Sequence, residues 1–307
     1  MTGVLCLNKP ADCTSFQAVR WTRAIAGEKK AGHCGTLDPM ATGVLPVMLG
    51  GATRFLEFLP TSPKRYRAVM KLGVRTDTLD LTGTVLETRE VATERKDIEA
   101  VLERFRGDIL QVPPMYSALK KDGVRLYDLA RKGVEVEREA RPVTIDALEL
   151  LPDGTDGTDP AAGEYVLDVT CSKGTYIRTL IDDIGQSLSC GAAMAALCRT
   201  GVGVFTLEDA LTISELEAAR DSGTLSDLLL PVDKALSFLP SVNVSDPQGV
   251  RFQNGGELDL ARLRGIPEAP EDGALYRVYS QETDFLGLGE VSLETGALSV
   301  RKVFVSR

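Results

Sequence analysis

Residues Gly32 to Pro46 read GHCGTLDPMATGVLP and include the only histidine of the chain. Their glycines permit positive φ angles and allow another backbone or a ligand to approach closely. The run from Gly43 to Leu49 is apolar enough to form a buried strand. Asp38 is therefore predicted on a tight loop beside a buried strand, where a reactive carboxylate can be held in place.

A purely structural role for Asp38 fits the same residues. Aspartate followed by proline is typical of a helix N-terminus, with Asp38 as the N-cap and Pro39 at the first helical position. Asp-Pro pairs are common and short glycine patterns are weak signals. The chemistry of these residues alone therefore favours the cap.

Length and composition indicate a globular protein. The 307 residues suffice for a complete core and a second small domain. No apolar run is long enough to cross a bilayer, and the N-terminus lacks the pattern of a signal peptide. Six scattered cysteines without a Cys-x-x-Cys pair argue against a zinc site and fit reduced thiols. We expect a cytoplasmic protein.

The charge distribution is uneven. A net charge of −9 argues at first sight against a nucleic-acid partner, because phosphate contacts need lysine and arginine. Residues 28–75, however, contain eight basic residues against three acidic ones, which gives a local charge of +5. A basic face on an acidic body can bind RNA, and the acidic total predicts that binding weakens steeply with salt.

Apolar spacing and turn residues predict the secondary structure. Thr14 and Gln17 form a capping box for a helix that runs towards Ile25, and another helix is expected to end near Leu197. Further predicted elements include a strand from Tyr66, a helix over 95–105, strands over 141–151 and 165–171, a polar connection over 153–160 and a helix over 177–188. Short alternating runs after residue 240 indicate a small β-barrel-like domain.

Four motifs resemble those of the TruB family of tRNA pseudouridine synthases. Gly32 to Pro46 resembles the central motif, Gly-His-x-Gly-(Thr/Ala)-Leu-Asp-Pro-x-Ala-Thr-Gly-x-Leu-Pro. Three further stretches are similar to family motifs in the same order, namely 64–67 with 75–78, 113–120 with parts of 123–133, and 171–180. The resemblance covers most of residues 1–205, and the C-terminal segment is more weakly similar to a PUA domain.

The resemblance implies an α+β pseudouridine synthase fold. Its central sheet would be mixed but mostly antiparallel, flanked by helices and loops, with a small C-terminal β domain resembling PUA. The expected domains are a catalytic domain over 1–238, with an RNA-clamping insertion at about 120–142, and a PUA-like RNA-binding domain over 239–307.

The activity implied by the resemblance is isomerisation of uridine to pseudouridine at position 55 in the T loop of tRNA. The base leaves the stack, the C1′–N1 bond breaks, the uracil turns in place and C5 bonds to C1′. The resemblance implies no metal and no organic cofactor. The expected partner is the tRNA T stem-loop, and we expect a monomer without a guide RNA or a membrane.

Three residues match catalytic positions of the family. Asp38 would be the essential carboxylate, and Arg178 would pair with it and hold its orientation. Spacing alone allows a different role for Arg178, namely an ordinary surface ion pair with Asp182, which follows four residues later on the same predicted helix. Tyr66 would stack on the flipped base, with a part in removing the C5 proton left open.

Further residues match substrate-binding positions. His33 would enter the T loop where the base has left, and a role as general base is not needed by the family chemistry. Tyr176 and Leu197 would line the uracil pocket, although a leucine on a helix also fits a packed core. The candidate phosphate contacts are Lys64, Arg65, Lys120, Lys121, Arg125, Arg131 and Lys132. Cys34 and Cys198 depart from the family pattern.

Other functions fit parts of the sequence. A tRNA-folding chaperone would need the basic face and His33 but not Asp38. A guide-RNA-dependent synthase is opposed by the long basic segment after Lys120, which resembles the clamping loop of stand-alone enzymes. A metabolite-directed enzyme is opposed by the lack of a phosphate-binding glycine motif outside the central one.

Overall fold

The computed structural model describes residues 1–152, 163–281 and 283–305. The polar connection predicted over 153–160 lies outside these residues. The strands are β1 (Gly3–Lys9), β2 (Ala31–His33), β3 (Thr42–Leu49), β4 (Lys64–Leu72), β5 (Val74–Thr76), β6 (Val85–Thr88), β7 (Gly107–Gln111), β8 (Lys120–Lys121), β9 (Val124–Arg125), β10 (Arg141–Leu150), β11 (Glu164–Cys171), β12 (Ala192–Val202), β13 (Phe205–Thr206), β14 (Ser241–Asn243), β15 (Leu258–Asp259), β16 (Leu275–Tyr279), β17 (Phe285–Ser292) and β18 (Ala297–Val303).

The α-helices are α1 (Ser15–Ile25), α2 (Arg95–Leu102), α3 (Leu126–Ala130), α4 (Ile177–Ser187), α5 (Ile213–Ser222), α6 (Val232–Ala235) and α7 (Asp246–Gln253). The capping box predicted for α1 is confirmed, because Gln17 N donates to Thr14 Oγ1 at 3.1 Å and Thr14 N donates to Gln17 Oε1 at 2.8 Å. A 3₁₀ helix, Gly50–Phe58, follows β3 directly.

A large sheet organises the N-terminal part of the chain. Its order is β1-β3-β12-β4-β11-β10-β7, with β2 added to β3 and β13 to β12. The β3–β12 pair is parallel, with Cys198 opposite Thr42, and the other pairs in this order are antiparallel. The predicted mixed and mostly antiparallel sheet is therefore confirmed.

Strand β4 carries the clearest alternation. Its residues Tyr66, Ala68, Met70 and Leu72 are buried while their neighbours are more exposed. Side chains two residues apart lie on one face of a strand, so this pattern gives β4 a single core-facing side. Helix α4 covers that core with its apolar stripe, from Ile177 to Ile184.

The helix predicted to end near Leu197 is wrong. Residues Ala192–Val202 form β12, which lies between β3 and β4 in the middle of the sheet. The segment is rich in alanine, which favours a helix when judged locally. Pairing with β4 along most of its length and with the start of β3 supplies backbone hydrogen bonds that outweigh this weak preference.

A second sheet forms the C-terminal part, in the order β14-β16-β17-β18-β15. Its own core contains Val242, Phe252 and Val278. Aromatic packing joins it to the 3₁₀ helix that follows β3, with the Phe55 ring centroid 5.8 Å from that of Phe285. The boundary predicted near residue 239 stays a prediction. In the part of the chain that the structure describes, no helix has the length and apolarity needed to span a membrane.

Candidate active site

The loop between β2 and β3 presents Asp38. Gly35 and Gly43 have φ angles of 76° and 100°, and a Cβ at Gly43 would lie 2.2 Å from the Arg199 carbonyl oxygen. Only glycine therefore fits at position 43. Ala41 N donates to the Asp38 carbonyl at 3.1 Å, and β3 follows without a helix. The interpretation of Asp38 as a helix cap is therefore wrong.

Arg178 holds the Asp38 carboxylate. Its Nε lies 2.9 Å from Asp38 Oδ2, and the arginine is only 5% exposed. Nη1 donates to the Thr78 carbonyl at 3.0 Å and Nη2 donates to the Tyr116 carbonyl at 2.9 Å. These contacts fix the plane of the guanidinium, so the carboxylate bound to it has one orientation.

The surface pair that spacing allowed for Arg178 is absent. Asp182 instead faces Arg75, whose Nε lies 3.4 Å from Asp182 Oδ1. Arg178 lies in the first turn of α4 and points to Asp38, whereas Asp182, one helical turn later, is half-buried against Arg75.

Asp80 is a site residue that sequence reasoning missed. It is 5% exposed, and its Oδ2 lies 3.8 Å from Arg178 Nη1. Its Oδ1 accepts hydrogen bonds from Thr78 Oγ1 at 2.8 Å and from Thr82 N at 3.0 Å. In the sequence, the segment TDTLDLTG over 76–83 has the composition of a polar loop, and only its alternation of threonine and aspartate hinted at such a network.

A cleft of about 190 Å³ opens beside Asp38. A water molecule takes about 30 Å³ in the liquid, so the cleft suits a group the size of a pyrimidine ring. It brings together the predicted catalytic residues and part of the predicted binding residues, and its lining includes Asp38, Lys64, Tyr66, Tyr176, Arg178 and Leu197.

Two strands supply the inner wall of the cleft. Tyr66 comes from β4 and Leu197 from β12, and they are 6% and 8% exposed. Burial raises the pKa of the Tyr66 phenol to about 12 and outweighs the opposing charge of Arg199. Tyr66 is therefore a neutral aromatic face at neutral pH.

Tyr176 lies directly before α4. Its N–H donates to Gln111 Oε1 at 2.7 Å, and Gln111 Nε2 donates back to its carbonyl at 3.0 Å. This exchange ties the start of α4 to the end of β7. Burial raises the pKa of the Tyr176 phenol, so it also remains protonated at neutral pH.

Arg199 is the second site residue that sequence reasoning missed. It is fully buried, and its Nε donates to the Val44 carbonyl at 2.7 Å while Nη2 donates to the Gly35 carbonyl at 2.9 Å. It therefore ties together the two ends of the Asp38 loop. Among the described residues, Arg199 forms no ion pair and its Nη1 has no hydrogen-bond acceptor. In the sequence, the only indication that Arg199 belongs to the site was its position two residues after Leu197.

The two cysteines that depart from the family pattern lie near Arg199. Cys34 is buried on the Asp38 loop, and burial raises the pKa of its thiol. Cys198 is partly exposed on β12. The contacts to the loop backbone come from its neighbour Arg199, so a cysteine at position 198 removes none of them.

His33 lies on β2, outside the set of residues that line the cleft. Burial, and secondly the charge of Arg199, lower the pKa of its imidazole. Its Nδ1 is buried without a hydrogen-bond partner within the described ranges. A neutral imidazole beside the cleft fits contact with the substrate better than proton transfer inside it.

The basic residues separate into two groups. Lys64 lines the cleft, whereas Arg65, Lys120 and Arg131 are exposed on the surface. The segment between β7 and β10 contains little regular secondary structure, and its elements are the β8–β9 hairpin and α3. In it the guanidinium of Arg131 stands 5.6 Å from the centre of the Tyr127 ring.

Comparison with known proteins points to one family. The model described as TruB family pseudouridylate synthase (N terminal domain) matches residues 23–177. The model described as tRNA pseudouridylate synthase B C-terminal domain matches 178–237, and that described as Pseudouridine synthase II TruB, C-terminal, matches 240–304. Together these models account for most of the chain.

Curated relatives resemble the chain over its whole length. A protein of Pseudomonas putida (strain GB-1) named tRNA pseudouridine synthase B is 46% identical, covering 100% of this chain and 96% of its own. A protein of the same name from Burkholderia mallei (strain NCTC 10247) is also 46% identical, covering 100% and 98%.

Solved structures share the fold. The structure titled "Crystal Structure of a Cbf5-Nop10-Gar1 Complex" matches with a TM-score of 0.74 and 28% identity, over 99% of this chain and 85% of that chain. A second, titled "Structure of H/ACA RNP bound to a substrate RNA containing 2'-deoxyuridine", matches with a TM-score of 0.73 and 26% identity, over 99% and 86%.

Proposed function

Because the chain belongs to the TruB family of pseudouridylate synthases, we propose that its substrate is uridine 55 in the T loop of tRNA. The chain is a pseudouridine synthase, and the name of its curated relatives supports tRNA as the substrate. The observation that carries the proposal is Asp38, held at 2.9 Å by Arg178 at a cleft of pyrimidine size.

Asp38 acts at C1′ of the target nucleotide. Positive character develops at C1′ as the bond to N1 breaks, which is the demand that places carboxylates beside the scissile bond in glycosidases. The carboxylate attacks C1′ or takes a proton from the ribose, and both routes need it to point at the sugar. Arg178 supplies that orientation, because its guanidinium is itself held by two backbone carbonyls.

The base enters the cleft after it has left the RNA stack, which costs a few kcal/mol. We assign stacking on the uracil to Tyr66, whose neutral phenol suits that contact. Leu197 and Tyr176 close the remaining walls and exclude water from the separated ring. His33, beside the cleft, occupies the space that the flipped base leaves in the T loop.

The RNA backbone lies along the basic surface. Arg65, Lys120 and Arg131 contact phosphates, and the segment at about 120–142 closes over the T arm. Residues 239–307 add a second RNA-binding surface. We further propose that the chain acts as a monomer without a guide RNA. The basic segment after Lys120, which resembles the clamping loop of stand-alone enzymes, supports recognition without a guide.

Tritium release tests this proposal. Unmodified tRNA transcript labelled with tritium at uridine C5 should release one equivalent with the wild type and none with Asp38→Asn, which should still bind. A transcript with cytidine at position 55 should release nothing from that position. Binding without release by the wild type would contradict the proposal and favour a tRNA chaperone. Release that needs an added guide RNA would contradict stand-alone recognition.

A further inference from the structure

The charges around the cleft are distributed unequally. On one side Arg178 is paired with Asp38 and Asp80. On the other side Lys64 and Arg199 form no ion pair with any residue that the structure describes. A cation kept partly or fully out of water without an anion is costly, so an anion that arrives there is strongly favoured.

Lys64 is the member of this unpaired group that reaches the cleft. It lies two residues before Tyr66 on β4, so both side chains project from the same face of the strand. Both line the cleft. The end of the lysine lies near Gly35, where a Cβ would be 3.8 Å from Nζ and 3.2 Å from Arg199 Nη1. Seen from the cleft, Arg199 therefore lies behind Lys64, and Lys64 is the cation that faces the substrate.

The reaction creates an anion in this cleft. When the C1′–N1 bond breaks, its electron pair stays on N1 and spreads over the carbonyl oxygens O2 and O4 of the uracil. C1′ is captured by Asp38 or relieved by loss of a ribose proton. C5 then uses a ring electron pair to bond to C1′, and the proton on C5 is lost as N1 gains one. The steps are redox-neutral, and they leave negative charge on the ring between the two bonds.

Arg178 is not available to that charge, because Asp38, Asp80 and the carbonyls of Thr78 and Tyr116 occupy it. We propose, on the basis of the function above, that Lys64 is a catalytic residue whose ammonium contacts a carbonyl oxygen of the uracil and stabilises the detached ring. This role replaces the phosphate contact assigned to Lys64.

The turn of the base suits a lysine at this position. Rotation of the uracil by half a turn about its N3–C6 axis brings C5 to the place of N1 and exchanges O2 with O4. One ammonium therefore meets a carbonyl oxygen before and after the rotation. Lysine, a compact charge with three rotatable donors, tolerates both arrangements better than the rigid fork of an arginine.

The titration of Lys64 agrees with this role. Burial, and secondly the charge of Arg199, lower the pKa of the Lys64 ammonium. The empty cleft therefore disfavours the cation, and negative charge on the ring relieves that cost only once the bond has begun to break. Stabilisation that appears in the transition state and not in the bound substrate accelerates the reaction.

Single-turnover tritium release with enzyme in excess tests the inference, together with filter binding of the same tRNA transcript. Lys64→Gln removes the charge and keeps a polar side chain. We expect its rate to fall on the order of 100-fold, in the range for loss of one preorganised donor, with little change in Kd. Lys64→Met should behave alike, and Lys64→Arg should recover only part of the rate, because it restores the charge but not the compact, rotatable donors.

Lys71→Met is the matched control, since it removes a lysine from the far end of the same strand. It should match the wild type in rate. If the wild type releases tritium and Lys64→Gln releases it equally fast, this inference is overturned and the proposed function still stands. A weaker Kd with a normal rate at saturation would also overturn it and return Lys64 to a phosphate contact. A wild type that releases no tritium would instead contradict the proposed function.

Discussion

Arg178 and Arg199 are both buried beside the same cleft, but they have different partners. Arg178 is paired with two carboxylates, Asp38 and Asp80. Arg199 donates to two carbonyls, those of Gly35 and Val44, and meets no carboxylate in the described part of the chain. The first arginine orients a reactive group, and the second organises the loop that bears it and leaves positive charge behind the cleft.

In the proposed reaction, this difference lets one site serve both ends of a breaking bond. The carboxylate side, formed by Asp38, Asp80 and Arg178, would meet the sugar carbon, which becomes positive. The cation side, formed by Lys64 and Arg199, would meet the base, which becomes negative. Burial strengthens both interactions, because low polarity weakens the screening of charge. The predictions below separate the two sides.

Among the arginine and aspartate variants that follow, the largest effect is expected for Arg178→Lys. The variant keeps a positive charge but loses the planar fork that joins Asp38 to the Thr78 and Tyr116 carbonyls. The rate should fall about 10²–10³-fold, as for loss of an oriented electrostatic contact, and tRNA binding should change little. Single-turnover release and filter binding measure the two effects.

Arg75→Lys is the control for this substitution. Arg75 also pairs with an aspartate, Asp182, but outside the cleft. The control should keep its rate. If both lysine variants lost activity equally, the orientation of Asp38 by Arg178 would not be the cause.

A smaller effect is expected for Arg199→Met. The variant leaves the Gly35 and Val44 carbonyls without their donors, which costs about 1–3 kcal/mol of stability by the usual penalty for an unpaired buried group. The rate should fall by roughly one order of magnitude, because the loop that carries Asp38 is less well held. Thermal unfolding and single-turnover release measure the two effects. Unchanged stability and an unchanged rate in this variant would contradict the role of Arg199 in holding the Asp38 loop.

The smallest effect is expected for Asp183→Asn, on the helix that carries Arg178. Burial, and secondly the charge of Asp182, raise the pKa of Asp183 from 3.8 to about 6. Below about pH 4 the Asp183 carboxyl is protonated in both the folded and the unfolded state, so it does not lower the stability of the fold. As the pH rises through 6, the folded state must ionise a poorly solvated carboxyl, so stability is lost.

Thermal unfolding at two pH values checks this sign. Asp183→Asn should melt above the wild type at pH 8 and lose that advantage at pH 4. Tritium release should be unchanged at both. A higher melting temperature at pH 4 than at pH 8, relative to the wild type, would contradict the direction of the shift.

Much of the fold was accessible from residue patterns. The capping box of α1, the alternation of β4 and the apolar stripe of α4 each depend on residues within one turn or one strand. Such signals survive folding because the element that carries them needs no distant partner. The helix predicted for the alanine-rich segment from Ala192 to Val202 was wrong, since this segment forms a strand by pairing with β3 and β4, whatever its own composition favours.

The site shows the same division. The motif that contains Asp38, Tyr66 on its alternating strand and Arg178 near the start of an apolar stripe were visible in the linear chain. The motif at Gly32 to Pro46 was sufficient to identify the family and to single out one aspartate among many. Asp80 and Arg199 carried no comparable signal, because their importance comes from burial against residues elsewhere in the chain.

Contacts across the sheet therefore settled what local patterns left open. Arg178 lies four residues from Asp182, yet its partner is Asp38, because α4 packs with Arg178 towards the cleft. Arg199 meets Gly35 across 164 residues, because parallel pairing of β12 with β3 brings them together. Periodicity and capping are properties of neighbours in the chain. Ion pairs and burial are properties of neighbours in space, and only the folded sheet creates those neighbours.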